Sequence, residues 1–167
     1  MANKTNFTGE DWSRVLSSPM VAGMAITAAD PSGLWGLLKE GMAGGWALLE
    51  ARQSADADPL VKATAEDFAT NEGRAAARTA LQQRFTGSTF SAIKDTALAE
   101  LKGVAGILDG KAPENAAAFK GWLRQVAQKA AEAGAEGGFW DSAALRSAKP
   151  RRQLAEISAA LDGKASA

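Results

Sequence analysis

The sequence of 167 residues contains no histidine, no cysteine and no tyrosine. These side chains supply the imidazole base, the thiolate nucleophile and the phenolic acid of many enzymes, and most protein ligands of zinc, iron and copper. Disulfide bonds are excluded as well. Carboxylates, lysines, arginines and hydroxyls remain, and no spacing among them matches a catalytic arrangement. We therefore expect a protein that is not an enzyme and that uses no cofactor.

An excess of charge is also absent, because 19 basic residues balance 19 acidic ones. A neutral chain has no overall field that would draw it to nucleic acid or to an anionic membrane. Residues 1–8 lack the pattern of a signal peptide, and the apolar stretch 20–49 is interrupted by Asp30, Pro31, Lys39 and Glu40, so no window predicts a membrane span. We expect a cytoplasmic protein, bacterial in its alanine-rich style, with neither membrane nor nucleic acid as partner.

The composition predicts an all-α fold. Alanine occurs 38 times, and valine, isoleucine and threonine form no alternating runs. A hydrophobic content of 46% against 23% charged residues is typical of a folded chain. The length suits one domain over residues 1–167, a compact bundle of about seven to eight helices.

Capping signals place the first helices. Thr8 can cap a helix, and Phe7 and Trp12 occupy the two positions of a hydrophobic staple. Ser18-Pro19 has the order of a cap followed by a first-turn proline, which predicts that one helix ends near residue 17 and a second begins. The same order at Asp30-Pro31 predicts a third helix to about residue 53, with Asp30 accepting hydrogen bonds from the N–H groups of residue 32 or 33.

Similar signals place the later helices. The predicted starts are Asp58-Pro59, Thr70 or Asn71, a hydroxyl residue among 88–91, Pro113, and about Ala148; the predicted ends are Gly87, Asp109-Gly110, Gly134 and Asp162-Gly163. A regular apolar stripe at Ile93, Ala97, Leu101, Val104 and Leu108 predicts the buried face of the sixth helix.

Glycines in the third predicted helix suggest a first candidate site. Each glycine inside a helix costs about 1 kcal/mol relative to alanine, and this segment carries four, at positions 36, 41, 44 and 45. They leave room either for a closely packed helix or for a ligand beside Trp35 and Trp46. With Trp122 of the seventh helix, these side chains would line an apolar pocket, or else form part of the core.

Three charged groups are further candidates. Asp109 and Glu114 could offer oxygen ligands to calcium or magnesium, or Asp109 could simply belong to a helix end. The acids at 56, 58, 66, 67 and 72 could divide acid and base roles, although nothing in the sequence indicates burial. Basic residues at 146, 149, 151 and 152, beside Phe139 and Trp140, could contact single-stranded nucleic acid or form a solvated helix start.

Several segments carry a resemblance to known proteins. The resemblance lies in residues 12–40, with the motifs 18–20 and 28–36, and in residues 118–123 and 154–157. These segments resemble a family of uncharacterised bacterial all-helical proteins, a likeness that covers nearly the whole chain and implies no activity. More faintly, the helix, Asp109-Gly110 turn and following helix are similar to a unit of TerB-like tellurite-resistance proteins. That likeness implies a divalent cation, but the usual acid is displaced, with Glu114 close to the turn.

Three functions follow as hypotheses. The first is a non-enzymatic protein that binds an unknown protein partner or itself, because helices rich in alanine and glycine permit close helix contacts. The second is a small apolar ligand bound in the tryptophan-lined pocket. The third is a TerB-like binder of a divalent cation.

Overall fold

The computed structural model describes residues 2–27, 45–136 and 143–163, and within these ranges the secondary structure is helical with no strand. A short 3₁₀ turn, Lys4–Asn6, precedes the α-helices. These are α1 (Gly9–Thr27), α2 (Gly45–Gln53), α3 (Pro59–Phe68), α4 (Asn71–Phe85), α5 (Phe90–Lys111), α6 (Pro113–Glu136) and α7 (Ala143–Leu161). The prediction of an all-helical bundle is confirmed.

Helix α1 is the centre of the bundle. It packs against each of the six other α-helices, and its side chains at Val15, Leu16 and Val21 are completely buried. The stripe predicted on α5 is buried as expected, with its last four residues in this core and Ile93 in a small separate cluster with Met24 of α1. Helix α2 packs chiefly against α3, whereas α6 packs against α1, α5 and α7. This arrangement leaves α2 and α6 as neighbours with limited direct contact.

The predicted caps of three helices are confirmed. The hydroxyl of Thr8 accepts a hydrogen bond from the N–H of Asp11 at 3.2 Å, and the rings of Phe7 and Trp12 lie 5.4 Å apart, as a hydrophobic staple requires. Asp58 accepts from the N–H of residue 60 at 2.8 Å and so caps α3. Thr70 caps α4 in the same way, accepting from the N–H of residue 73 at 2.9 Å.

Two predicted glycine ends are also confirmed. Gly87 and Gly163, which follow α4 and α7, have φ angles of +78° and +73°. Such positive angles reverse the chain after a helix and favour glycine, which has no Cβ to clash.

The predicted break at Ser18-Pro19 is wrong, because α1 continues through it with Pro19 inside the helix. Proline lacks the N–H that would donate to the carbonyl of Val15, four residues earlier. The hydroxyl of Ser18 donates to that carbonyl instead, at 2.7 Å. Ser18, which was predicted to be a helix cap, therefore provides the Val15 carbonyl with a donor in place of the backbone N–H that Pro19 lacks.

Other boundaries differ from the predictions by less. Helix α5 does not end at Asp109-Gly110 but continues to Lys111, after which the N–H of Ala112 donates to the carbonyl of Leu108 at 2.8 Å. Helix α6 runs slightly past Gly134, and α7 begins at Ala143, before the predicted start. The predicted Asp30-Pro31 cap lies outside the described residues. None of the described helices is long and apolar enough to cross a membrane.

Candidate functional site

A cleft of about 350 Å³ lies between α2 and α6 and is bounded at one side by the turn that joins α2 to α3. Its walls consist largely of small residues, among them Ala47 and Ala51 on α2 and Ala118 and Gly121 on α6. A Cβ added at Gly121 would meet no heavy atom within 4 Å. The cleft exists because these facing positions carry almost no side chain.

Helical periodicity explains why these residues share the cleft. On α6 the lining residues Ala118, Trp122, Val126 and Lys129 recur at three- and four-residue intervals, which places them on one face of the helix. On α2, Ala47, Glu50 and Ala51 are spaced in the same manner, and Ser54 follows the helix end.

Trp122 is the largest of the described side chains that line the cleft, and it is partly buried. Its ring lies 5.2 Å from the ring of fully buried Phe119, at an interplanar angle of 75°. This edge-to-face contact is a favoured geometry for aromatic pairs and restrains the indole. Among the described residues, no group accepts a hydrogen bond from the indole N–H of Trp122. A bound molecule or water can therefore take that bond.

Two side-chain hydrogen bonds, which we call polar ties, connect α6 to the opposite wall of the cleft. The side-chain amide of Asn115 donates to Asp58 at 2.8 Å, and the ammonium of Lys129 donates to Glu50 at 2.8 Å. Asn115, Trp122 and Lys129 are separated by two intervals of seven residues. With a rise of 1.5 Å per residue, the ties lie about 21 Å apart along α6, with the tryptophan midway. One tie therefore lies toward each end of the cleft.

The charges around the cleft are unequal. Among the described lining residues, three are acidic (Glu50, Asp56 and Asp58) and one is basic, Lys129. Asp58 uses one oxygen to cap α3 and the other to accept from Asn115, while Glu50 is paired with Lys129. Asp56 is exposed and, within the described part of the chain, has neither a hydrogen bond nor an ion pair. It is the carboxylate of the cleft that remains available to a ligand.

The predicted tryptophans are placed unequally. Trp122 lines the cleft. Trp46 belongs to α2, but its side chain is outside the described residues, as is Trp35 altogether. The sequence did not single out Asn115, Gly121, Glu50 and Lys129, which shape the cleft. The seven-residue spacing of Asn115, Trp122 and Lys129 could have indicated the two residues on either side of Trp122.

The acids predicted as metal ligands have other surroundings. Asp109 has a 58% exposed side chain, and both of its oxygens accept from the ammonium of Lys120 at 2.7 Å. Glu114 is exposed in the first turn of α6. Within the described ranges, no group of three or more acidic residues is positioned to hold a metal ion. A cation at Asp109 would have to compete with Lys120.

The other two predicted sites are the group of acids between residues 56 and 72 and the basic cluster near Phe139 and Trp140. Of the acids between 56 and 72, Asp58 acts as a cap, and Asp67 accepts from the indole N–H of Trp12 at 2.6 Å. Both acids thus have structural partners. In the basic cluster, Arg151 and Arg152 are exposed on α7, whereas Phe139 and Trp140 lie outside the described residues.

A second cleft of about 350 Å³, between α1 and α4, contains Arg14 and Arg84. Arg14 donates to Glu100 at 2.7 and 3.1 Å, and Arg84 lies 3.6 Å from Glu100 and 3.3 Å from Glu10. Glu100 is only 5% exposed. A Cβ at Gly103 would overlap the guanidinium of Arg14, so the glycine makes room for this ion pair. The two positive charges are thus already balanced within the fold.

Comparisons of the chain with protein-family models, with curated proteins and with solved structures gave no match. The resemblances to an uncharacterised bacterial family and to TerB-like proteins therefore stay predictions from the sequence. Any proposal about function therefore depends on the geometry of the clefts. The cleft beside Trp122 contains two groups, the Asp56 carboxylate and the Trp122 indole N–H, that have no hydrogen-bond partner among the described residues.

Proposed function

We propose that the chain binds a small molecule in the cleft between α2 and α6, beside Trp122. The observation that carries this proposal is a space of about 350 Å³ kept between two helices, with a partly buried tryptophan midway between two polar ties. Ligand pockets typically enclose about 300–1,000 Å³ and combine apolar walls with a few polar groups. The cleft is at the lower end of that range and suits a molecule with one ring and a short side chain.

The lining residues support this size and character. Val61 and Val126 join Trp122 and the alanines in offering apolar contact. Ser54 and Gln125 offer hydrogen bonds at the edge of the cleft. Because Phe119 already restrains Trp122, ligand binding needs little further ordering of the indole, which favours affinity.

The proposal can be tested with 2-phenylethanol, a neutral probe with one ring. Binding should change the tryptophan emission and raise the melting temperature as the probe concentration exceeds its Kd. Replacing Gly121 with leucine should fill the cleft and weaken probe binding at least tenfold. Gly106→Leu is the matched control, because Gly106 lies on α5 with equally open space around it and does not line the cleft.

Two outcomes would contradict the proposal. One is the lack of any change in emission or melting temperature with 2-phenylethanol and with its charged analogues 2-phenylethylamine and 3-phenylpropionate, each at its highest soluble concentration. The other is equal binding to the wild type, Gly121→Leu and Gly106→Leu proteins, which would place the probe elsewhere. Far-UV circular dichroism of both variants checks that they are folded.

Binding of a protein partner or self-association has less support. In the described ranges, Leu49 is the one large hydrophobic side chain that is exposed, at 54%. A single residue is not the contiguous apolar patch that marks an interface. Partner binding, the absence of enzymatic activity and the cytoplasmic location stay predictions from the sequence. Sedimentation velocity over a range of concentrations tests the self-association.

A further inference from the structure

We infer that the ligand of the Trp122 cleft carries a positively charged group, such as a protonated amine, on its apolar body. This inference rests on the proposed function and specifies the class of ligand. It starts from the described residues that line the cleft, which include three carboxylates and one ammonium. The formal charges of these described residues add to minus two, which favours a cation over an anion as the ligand.

Asp56 is the residue that we assign to the charged group. The two oxygens of Asp58 already accept hydrogen bonds from the α3 backbone and from Asn115. Glu50 already pairs with Lys129 at 2.8 Å. Asp56, in the turn after α2, has no such partner in the described part of the chain, so a ligand ammonium can pair with it without displacing an existing contact.

Trp122 adds a second attraction for the same group. The face of an indole carries negative electrostatic potential and attracts an ammonium within about 6 Å of the ring centre. Trp122 and Asp56 line one cleft of about 350 Å³, so a single small molecule can contact both. An aromatic or aliphatic body would fill the space between the alanines, and its amine would lie toward the turn.

Three probes with the same ring and the same two-carbon linker isolate the charge. They are 2-phenylethylamine, 2-phenylethanol and 3-phenylpropionate, which are cationic, neutral and anionic at pH 7. Isothermal titration calorimetry at low ionic strength should give the tightest binding for the amine, at least fivefold tighter than the alcohol, and the weakest for the carboxylate. Because charge screening weakens such attraction, 0.5 M NaCl should reduce the difference between amine and alcohol.

Asp56→Asn tests the assignment, since it removes the charge and keeps the shape. Amine affinity should fall severalfold toward that of the alcohol, the remainder coming from Trp122 and the other carboxylates, while alcohol affinity stays the same. Asp95→Asn is the control, because Asp95 is an exposed acid on α5 that does not line the cleft. This variant should keep the preference for the amine.

The possible failures are distinguishable. If the three probes bind equally well to the wild type, the inference is overturned while the proposed function stands. If Asp56→Asn weakens all three probes alike, or Asp95→Asn reduces amine binding as much as Asp56→Asn does, Asp56 does not recognise the ammonium. If none of the probes binds, the proposed function fails, and the inference fails with it.

Discussion

Two tryptophans mark opposite ends of α3, and their surroundings differ. Each packs on a phenylalanine at a similar separation, 5.4 Å for Phe7 with Trp12 and 5.2 Å for Phe119 with Trp122. Trp12 is 3% exposed, and its indole N–H donates to Asp67 near the end of α3. Trp122 is partly buried and lines the cleft that Asp58, the cap of α3, also lines. A similar aromatic pair therefore occurs both in a tightly packed region and beside an open cleft, so the pair itself does not determine how tightly the region is packed.

The surroundings of one glycine in each region explain the difference in packing. Gly73, next to the Trp12 region, lies so close to α3 that a Cβ would overlap the carbonyl oxygen of Asp67. Gly121, in the Trp122 region, has no atom within 4 Å of that position. A small residue permits close backbone contact where a neighbouring segment approaches, and leaves a cavity where none does.

The largest difference between the regions should appear on truncating each tryptophan. Trp12→Ala removes a buried ring and leaves the Asp67 carboxylate without its indole donor, so it should lower the free energy of unfolding by about 3–5 kcal/mol. Trp122→Ala should cost less than half as much, because that ring is only partly buried. Urea unfolding followed by far-UV circular dichroism measures both. Equal losses would mean that the Trp122 region is packed as tightly as the Trp12 region.

Alanine at the two glycines should change stability in opposite directions. Gly73→Ala forces the α3–α4 corner apart and should destabilise the protein by about 1–3 kcal/mol. Gly121→Ala adds a methyl group in open space and should stabilise it by up to about 1 kcal/mol through helix propensity. Thermal unfolding of the two variants measures the difference. A destabilising Gly121→Ala would show that the cleft wall has no room for a methyl group.

Local chemistry made much of the fold predictable. The caps at Thr8, Asp58 and Thr70 each depend on one side chain and the N–H groups that follow it, so the residue order is sufficient to place them. Pro19 shows the limit, because the same Ser-Pro order is compatible with a helix start or with a helix that continues. Packing of α1 against six neighbours decides between them.

The candidate site was less predictable, because a cavity is a property of two surfaces. The sequence indicates that Trp122 and the alanines of α2 and α6 are apolar, but not that these helices are held apart. The two ties that cross the cleft, from Asn115 to Asp58 and from Lys129 to Glu50, likewise join partners that are distant in sequence. The acid at Asp109 was misleading for a related reason, since its Lys120 partner lies on the next helix.

Removing the Asp58 side chain should have an intermediate effect. Asp58→Ala deletes the cap of α3 and leaves the amide of Asn115 without its acceptor, so we expect a loss of about 1–2 kcal/mol. Asp58→Asn should retain part of the cap and cost less. Guanidinium unfolding compares the two. If Asp58→Ala is neutral, the tie at this end of the cleft does not contribute to stability.

The smallest effects should come from the ion pair in each region. Lys4 lies 3.2 Å from Asp67, with side chains 60% and 17% exposed, whereas Glu50 and Lys129 are both largely exposed. Exposed pairs contribute about 0–1 kcal/mol, because water and salt screen them and both side chains lose freedom. Lys4→Met should therefore cost up to about 1 kcal/mol, since Asp67 is mostly buried, and Glu50→Gln less than about 0.5 kcal/mol. Urea unfolding in 0.05 and 0.5 M NaCl measures both, and the larger cost should shrink in high salt. If Glu50→Gln lowers the free energy of unfolding more than Lys4→Met does, the exposed ion pair at the cleft contributes more to stability than the partly buried pair near Trp12. That result would contradict the view that the Trp12 end of α3 is the more tightly packed end.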